Sequence, residues 1–319
     1  MNESIWIVKW RPKVFRDVIL SSEMTKYFQT CIETKNLPHI LLYGRAGIGK
    51  TTIGNVIANE LKSDFLYING SKEKTIDILR DKIDRFASTY SDNDMWGDNE
   101  KQSPKIVFID ECEKITFQDA LKVVMEEMEA NCRFILATNN ISKIIDPLKD
   151  DERCHTFNLV PSEQKERSEI ALKYLYRMRY ILEQEKVEYD EAVLKTIVKK
   201  CFPSMRKIIS TCNKTYLTNG KIGSDIIFDD LVNKNLIDLL NSKDILGIRK
   251  LVANIDPVEF MREIYETFDK YIQPEQYFDF ASIYGEFAWR NSLHDDKESN
   301  VFTFLIMLIN KKIKLQIKE

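Results

Sequence analysis

The sequence predicts an α/β domain built on a parallel sheet, followed by two all-helical regions. Up to about residue 160, short unbroken apolar runs alternate with segments of helical character, and unbroken runs are typical of strands that helices cover on both faces. Beyond that point apolar residues recur at helical spacing, as in Ile170, Tyr174 and Met178. A turn-rich segment at 217–225, LTNGKIGSD, separates two helical blocks. We therefore expect three domains, at residues 1–160, 161–228 and 229–319.

Five apolar runs define the strands of the expected sheet. Each is short and is followed by polar or turn-forming residues, as expected for buried strands between helices. The runs are HILLYG (39–44), DFLYING (64–70), KIVFID (105–110), RFILATNN (133–140) and HTFNLV (155–160). The polar segment SDNDMWGDNEKQSP at 91–104 is expected to form a surface loop within this domain.

The composition is that of an ordinary globular protein. The chain has 319 residues, of which 44% are hydrophobic and 30% charged, and this length exceeds one compact core. Its longest apolar run, at 304–309, is far shorter than the roughly 20 residues that span a bilayer, so a buried helix is expected there. The opening residues MNESIWIVKWRPK lack the pattern of a signal peptide. We expect a cytoplasmic protein.

Charge and cysteine usage argue against two further classes of protein. A net charge of -3 is unlike that of a protein coated in basic charge for indiscriminate nucleic-acid binding. The six cysteines stand singly, without a C-x-x-C pair. Free thiols and no zinc site are therefore expected.

A phosphate-binding motif lies between the first apolar run and the next helical segment. GRAGIGKT at 44–51 fits G-x-x-x-x-G-K-[ST] in full. In such a motif the glycines, here Gly47 and Gly49, let backbone N–H groups turn towards phosphates, Lys50 reaches the β- and γ-phosphates, and the Thr51 hydroxyl binds Mg²⁺. A chance glycine-rich turn is the alternative, and the flanking strand and helix disfavour it.

An acidic pair follows the third apolar run, in KIVFIDECEK. Asp110 is expected to hold Mg²⁺ opposite the phosphate loop, and Glu111 to orient and deprotonate an attacking water. Glu113 and Lys114 are interpreted as the start of a solvated helix. After the fourth run, Asn139 is placed to contact the γ-phosphate or the water, although an Asn pair also forms turns. The pattern predicts nucleotide hydrolysis rather than binding alone.

Seven segments within roughly the first 210 residues stand together in an order and spacing that one known family shares. They are KWRPKVFRDVI (9–19), LPHILLYGRAGIGKTT (37–52), INGSKEKTIDILRDKIDRFAS (68–88), FIDECEK (108–114), NNISKIIDPL (139–148), RCHTF (153–157) and FPSMRK (202–207). The chain thus resembles the AAA+ ATPase subunits of sliding-clamp loaders, the replication factor C group, and especially the large clamp-loader subunits of T-even-type bacteriophages.

The resemblance implies an ATPase with ATP and Mg²⁺ as its ligands. Asn139 and Arg206 would be two sensors of the nucleotide, and Arg153 would project into the ATP of a neighbouring subunit. The residues implied in catalysis are Lys50, Asp110, Glu111, Asn139, Arg153 and Arg206, and those implied in Mg²⁺ binding are Thr51 and Asp110. The residues implied in ATP binding are Ile7, Val8, Lys9, Trp10, Arg11, Ile19, Gly47, Ile48, Gly49, Lys50, Thr51, Thr52 and Arg206.

The chain departs from the family pattern just before Arg153. PLKDDERC at 147–154 stands where relatives have P-[IL]-Q-S-R-C, so Asp150, Asp151 and Glu152 precede the arginine. A nearby carboxylate could pair with Arg153 and hold it away from phosphate. Weighed alone, Arg206 would be a solvated helix charge; its position after Phe-Pro favours the sensor role.

The resemblance also implies partners. These are a sliding clamp, primer-template DNA and other clamp-loader subunits, as a homotetramer plus one small companion subunit, with no membrane; the second and third domains would be a helical lid and an oligomerisation collar. Candidate DNA contacts are Lys72, Lys74, Arg80, Lys82, Lys114 and Thr116, and candidate clamp contacts are Tyr90, Met95 and Trp96. Each basic residue could instead belong to a solvated helix face, and Tyr90 could complete the core.

Two other functions stay open at the level of sequence. One is a different AAA+ motor of DNA replication or recombination, of the helicase-loader or branch-migration type. The other is a nucleotide-binding scaffold that hydrolyses nothing, which the intact Asp110–Glu111 pair disfavours.

Overall fold

The computed structural model describes residues 5–72, 75–89, 104–151, 153–223, 234–293 and 296–313. The chain divides into two compact units, residues 1–226 and residues 227–319. The first unit holds the sheet and nine α-helices, counted over the described residues, and the second holds helices only within its described ranges. The fold class predicted from the sequence is therefore confirmed.

The first unit is built on a five-stranded sheet in which every strand pair is parallel. The strand order is β2-β3-β4-β1-β5, so the first strand lies in the interior of the sheet between β4 and β5. The strands are β1 (Ile40–Tyr43), β2 (Phe65–Asn69), β3 (Lys105–Asp110), β4 (Cys132–Thr138) and β5 (His155–Asn158). β1, β2, β3 and β5 fall within their predicted runs, and β4 begins one residue before its run, at Cys132. In such a sheet, ligands bind at the carboxyl ends of the strands where the order reverses, here beside β1 and β4.

Helices cover both faces of this sheet, so β1, β3 and β4 are buried along almost their whole length, whereas the edge strands β2 and β5 are mostly half-buried. On one face Ile53 packs with Phe108, and on the other Leu79 packs with Phe134; all four side chains are almost fully buried. Burial of one such side chain contributes about 1.5–3 kcal/mol. The helix that carries Ile53 approaches β3 so closely that a Cβ on Gly54 would overlap the Phe108 ring. Glycine is therefore the residue that this contact accepts.

The helices of the first unit begin after polar caps or turns. Ser21, Asp190 and Ser204 each accept a hydrogen bond from a backbone N–H in the first turn of the helix that follows. The α-helices are α1 (Trp6–Lys9), α2 (Ser22–Glu33), α3 (Lys50–Leu61), α4 (Ile76–Ser88), α5 (Gln118–Glu127), α6 (Asp146–Lys149), α7 (Gln164–Gln184), α8 (Glu191–Cys201) and α9 (Met205–Asn219). Short 3₁₀ turns lie at Phe15–Asp17, Cys112–Lys114 and Ile141–Lys143.

The second unit is a helical bundle around α14, the helix that carries the apolar run predicted to be buried. Phe304 lies in the core and contacts the rings of Phe280 and Phe287, with centroids 6.3 and 5.8 Å away. The helices are α10 (Lys234–Ser242), α11 (Ile245–Val252), α12 (Pro257–Tyr271), α13 (Tyr277–Leu293) and α14 (Lys297–Asn310). Within the described ranges, none of the helices combines the length and apolar character that crossing a membrane requires.

Candidate active site

The phosphate loop connects the carboxyl end of β1 to the first residue of α3. Gly47 and Gly49 have φ angles of 81° and 113°, a backbone conformation that L side chains rarely adopt. A Cβ on Gly49 would meet no atom within 4 Å, whereas one on Gly47 would overlap Ser204 Oγ. The loop thus faces open space beside the N-terminus of α3, whose N–H groups are suited to bind phosphate.

Lys50 is buried at the base of this loop. Its Nζ donates hydrogen bonds to the Gly44 carbonyl at 2.6 Å and to Asn139 Oδ1 at 2.8 Å, and its exposed fraction is only 7%. Burial lowers the pKa of Lys50, while the carboxylates of Asp110 and Glu113 act in the opposite direction. The sheet therefore brings the lysine and the amide at the end of β4 together, as parallel strand ends should.

Thr51 and Asp110 form an oxygen pair that suits Mg²⁺. The Thr51 hydroxyl donates to Asp110 Oδ2 at 2.8 Å, and the Tyr67 hydroxyl donates to the same oxygen at 3.3 Å. Hydroxyl and carboxylate oxygens are the ligands that Mg²⁺ prefers, and it usually takes only one or two of them from protein. The donor set therefore fits the ion that the sequence predicts.

Glu111 is held in an unusual backbone conformation next to this pair. Its φ angle is 51°, a conformation that costs energy for any residue with a side chain and that clusters at functional sites. Its N–H donates to Asp110 Oδ1 at 3.0 Å. Gly70, at the end of β2, donates to the Asp110 carbonyl at 2.8 Å, and a Cβ there would lie 2.7 Å from the Glu111 carbonyl oxygen. Gly70 was not predicted as a site residue, although its place directly after a strand is a signal in the sequence.

The interpretation of Glu113 as a solvated charge is wrong. Its carboxylate is partly buried, and Oε1 accepts hydrogen bonds from the backbone N–H and side-chain Nδ2 of Asn139, both at 3.3 Å. The other oxygen, Oε2, is buried without a hydrogen-bond partner in the described part of the chain. The tight 3₁₀ turn at Cys112–Lys114 carries the carboxylate back towards β4, whereas the neighbouring Lys114 is exposed as expected.

A cavity of about 220 Å³ lies between the N-terminal segment, the phosphate loop and the helices α7 and α9. We call it the base cavity, because the family resemblance implies that residues lining it bind the adenine base. Of the residues predicted to bind ATP, those that line it are Ile7, Val8, Trp10, Arg11, Ile19, Gly47, Ile48, Gly49, Thr52 and Arg206. Lys9 does not line it: its Nζ pairs with Glu185 at 2.9 Å. Lys50 and Thr51 line the adjoining phosphate cavity instead.

Eight further residues line the same cavity and were not predicted from the sequence. They are Pro12, Asp17, Val18, Ile53, Tyr174, Arg177, Met205 and Ile209. Arg177 Nη1 lies 3.5 Å from Asp17 Oδ1, joining α7 to the turn at Phe15–Asp17. Asp17 falls in the segment KWRPKVFRDVI, so the motif contained a signal, whereas the α7 residues are brought to the cavity by the fold alone.

Arg206 lies at the phosphate loop. It is the second residue of α9, its backbone N–H donates to the Gly47 carbonyl at 3.4 Å, and it lines both the base cavity and the phosphate cavity. Because Ser204 caps α9 at this point, the beginning of a helix from the all-helical part is fixed against the nucleotide loop.

Arg153 lies at the opposite edge of the sheet. It precedes β5, whose first residue pairs with Ile40, the first residue of β1, whereas the phosphate loop follows the last residue of β1. The length of β1 alone separates these edges by roughly 13 Å. Arg153 Nη2 pairs with Glu126 Oε1 at 2.7 Å, so a carboxylate does hold this arginine, and it comes from α5. Asp151 accepts from the Thr156 N–H at 3.0 Å.

The candidate partner contacts that the structure describes lie after β2, on α4 and after β3. Lys72 follows β2, and Lys114 and Thr116 follow β3; all three are exposed. Arg80 and Lys82 are on α4, and Arg80 pairs with Glu127 of α5 at 2.5 Å. The remaining candidates, Lys74, Tyr90, Met95 and Trp96, and also Glu152, lie outside the described residues.

Residues 40–162 match AAA, described as the ATPase family associated with various cellular activities. This match covers the phosphate loop and the carboxylates at the end of β3, and it identifies the protein as an ATPase with an AAA domain. Replication factor C small subunit 2 of Pyrobaculum islandicum is 32% identical over 234 residues, covering 71% of this chain and 68% of that protein. Replication factor C small subunit 1 of the same organism is 29% identical and covers 98% of this chain and 97% of its own length. The chain belongs to the replication factor C small-subunit family.

Solved structures show likeness of fold. The RuvB Holliday junction branch migration motor of Thermotoga maritima matches with a TM-score of 0.52 and 20% identity, over 76% of this chain and 84% of that one. At this identity the likeness concerns the fold alone.

Proposed function

We propose that this chain is the ATPase motor subunit of a sliding-clamp loader. In this proposal ATP binding opens the clamp, and primer-template DNA triggers hydrolysis and release of the clamp onto DNA. The names of the two Pyrobaculum islandicum relatives support the clamp-loader class. The bacteriophage type is also part of the proposal, and its support is the series of seven segments quoted above.

Each residue of the active site has a role in this proposal. Thr51 and Asp110 hold Mg²⁺, which screens the phosphate charge, and Lys50 exchanges its hydrogen bond to the Gly44 carbonyl for one to a phosphate oxygen. Glu111 accepts the proton of the attacking water. Asn139 and Arg206 contact the γ-phosphate from two sides, so that they sense whether it is present.

The placement of Arg153 is the observation that carries the proposal. The arginine is too far from the phosphate loop of its own chain to reach that nucleotide, since the two lie at opposite edges of the sheet. If subunits pack head to tail, this edge of one subunit faces the site of the next, and Arg153 completes it. An arginine donated in this way accelerates related NTPases by about 10³ to 10⁵.

The assembly proposed around this shared site is a homotetramer with one small companion subunit. Residues 161–228 would act as a lid that reports the nucleotide through Arg206, and residues 229–319 would form the collar that joins subunits. DNA phosphates would meet exposed basic residues and helix N-termini, which position a duplex without reading its sequence. Lys72, Lys74, Arg80, Lys82, Lys114 and Thr116 are the proposed contacts, with Tyr90, Met95 and Trp96 facing the clamp.

Steady-state ATP hydrolysis tests this function directly. The chain is assayed alone, with its co-purifying partners, and with primer-template DNA and a sliding clamp added singly and together. Stimulation that requires both DNA and clamp is the expected result. A rate that DNA raises but the clamp leaves unchanged would instead support a branch-migration or helicase-loader motor.

Glu111→Gln separates binding from turnover. The amide keeps the size of the side chain but cannot take a proton, so we expect unchanged nucleotide affinity and a turnover reduced by at least about 100-fold. Equilibrium titration with a fluorescent ADP analogue and steady-state hydrolysis measure the two quantities. Loss of both together would show that Glu111 supports the fold of the site rather than its chemistry.

A further inference from the structure

We infer that Glu185 is a positioning residue for the nucleotide, because it fastens the N-terminal wall of the base cavity to the end of α7. The inference rests on the proposed nucleotide site and is independent of any clamp or DNA. Glu185 does not line the cavity itself. It acts through α1, which contributes Ile7 and Val8 to the cavity wall, and through Trp10, which follows α1 in the same wall.

One carboxylate oxygen holds the end of α1. Glu185 Oε1 accepts from Trp10 Nε1 at 2.5 Å and lies 2.9 Å from Lys9 Nζ. The Glu185 side chain is only 15% exposed, against 42% for Lys9. A charge-assisted hydrogen bond in such a sheltered place is stronger than one at the surface.

The α1 helix depends on contacts of this kind. It has four residues, and an isolated helix of that length does not form in water because nucleation is costly. Its beginning is anchored on α9, where the Trp6 N–H donates to Asn213 Oδ1 at 3.3 Å and the indole stacks on Tyr216 with centroids 5.5 Å apart. Glu185 supplies the second anchor, at the other end of the helix.

The end of α7 fixes Glu185 in place. The Lys186 N–H donates to the Glu183 carbonyl and the Val187 N–H to the Leu182 carbonyl, which is the pair of bonds of a Schellman motif. Val187 and Leu182 are buried together at this turn. The carboxylate therefore projects from a rigid helix end towards α1.

Because the Glu185 contact lies beside the base cavity, its loss should affect nucleotide affinity and not the rate of the chemical step. The base cavity binds the part of the nucleotide that does not react, so its contacts are equally strong in the ground and transition states. Lys50, Asp110 and Glu111 are not among the residues that line the base cavity. Loss of the Glu185 contact should therefore raise KM and the Kd for ADP while leaving kcat at saturation unchanged.

The experiment compares three variants by equilibrium binding of a fluorescent ADP analogue to the full chain, with kcat and KM in the complete assembly. Glu185→Leu removes both contacts and should weaken ADP binding about tenfold, as expected for one charge-assisted hydrogen bond. Glu185→Gln keeps an acceptor for Trp10, so its affinity for ADP should fall only a few-fold, about as much as that of Lys9→Met. The double variant Glu185→Gln/Lys9→Met should bind ADP about as tightly as either single variant, because both substitutions remove the same ion pair.

Glu183→Leu is the matched control, since Glu183 is an exposed glutamate in the same last turn of α7, and its affinity should equal that of the wild type. Thermal unfolding shows whether each variant is folded. If Glu185→Leu does not fold, the ADP affinities of Glu185→Gln, Lys9→Met and the double variant test the inference. Wild-type affinity in Glu185→Leu, additive losses in the cycle, or a fall in kcat without a change in KM would overturn the inference. If the wild type does not bind ADP, the proposed nucleotide site is wrong, which is a different outcome from failure of the Glu185 inference alone.

Discussion

At the scale of single residues, the site depends on polar groups that orient one another. Glu113 accepts from both nitrogens of Asn139, which leaves Asn139 Oδ1 directed at Lys50 Nζ. The amide orientation is thereby fixed from one side. In the proposed function the same amide also contacts a bound γ-phosphate, so Glu113 would set how readily Asn139 turns towards the nucleotide.

Glu113→Ala should lower kcat about tenfold, because the sensor amide loses the hydrogen bonds that orient it. Nucleotide affinity should change by less than about twofold, since Glu113 does not line the base cavity. Steady-state kinetics and ADP titration check both statements. Asp119→Asn, at an exposed position on the nearby α5, serves as the control. Equal losses in the two variants would contradict a specific role for Glu113.

Gly70→Ala should lower both turnover and thermal stability. The added Cβ would lie 2.7 Å from the Glu111 carbonyl and 3.0 Å from Ile115 Cγ1, so the backbone that holds the catalytic glutamate must shift. Strain of this kind typically costs about 1–3 kcal/mol. Gly285→Ala, where a Cβ meets nothing within 4 Å, should keep full activity. A fully active Gly70→Ala would show that the Glu111 backbone has more room than the structure gives it.

At the scale of secondary-structure elements, the features that could be predicted were those that depend on residues close together in the sequence. GRAGIGKT and the Asp110–Glu111 pair were predictable because their chemistry depends on spacing within one strand and the turn after it. Asp17 and Arg177 were not singled out, and Glu113 was interpreted as a solvated charge, because their partners come from other elements and only the packing brings them together. The family resemblance implied that Lys9 binds ATP, whereas in the structure its Nζ pairs with Glu185 and the residue does not line the cavity.

The end of α7 offers a test of how the fold is stabilised. Lys186 occupies the left-handed position of the Schellman motif with a φ of 55°, a position that favours glycine. Lys186→Gly should raise the free energy of unfolding by about 1 kcal/mol, because the steric cost of a side chain in this conformation is removed. Denaturant unfolding measures the change. Destabilisation would mean that the lysine side chain makes contacts that outweigh its backbone strain.

At the scale of the whole molecule, the arrangement of strands places Arg153 and the phosphate loop at opposite edges of the sheet. The carboxyl ends of β1, β3 and β4 carry the phosphate loop, Asp110 and Asn139, while Arg153 precedes β5 at the other edge. In the proposed function, a single chain therefore holds a nucleotide but lacks the arginine that completes its site. Arg153 Nη2 pairs with Glu126, whereas Nη1 is buried without a hydrogen-bond partner in the described part of the chain.

Mixing two inactive variants tests this shared site most directly. Lys50→Ala lacks the phosphate lysine and Arg153→Ala lacks the donated arginine, so each assembly alone should be inactive. In a random equal mixture, about a quarter of the head-to-tail junctions pair an intact pocket with an intact arginine, and ATP hydrolysis should recover to about a quarter of the wild-type rate. Full activity of Arg153→Ala on its own, or no recovery in a mixture shown to exchange subunits, would contradict the shared site.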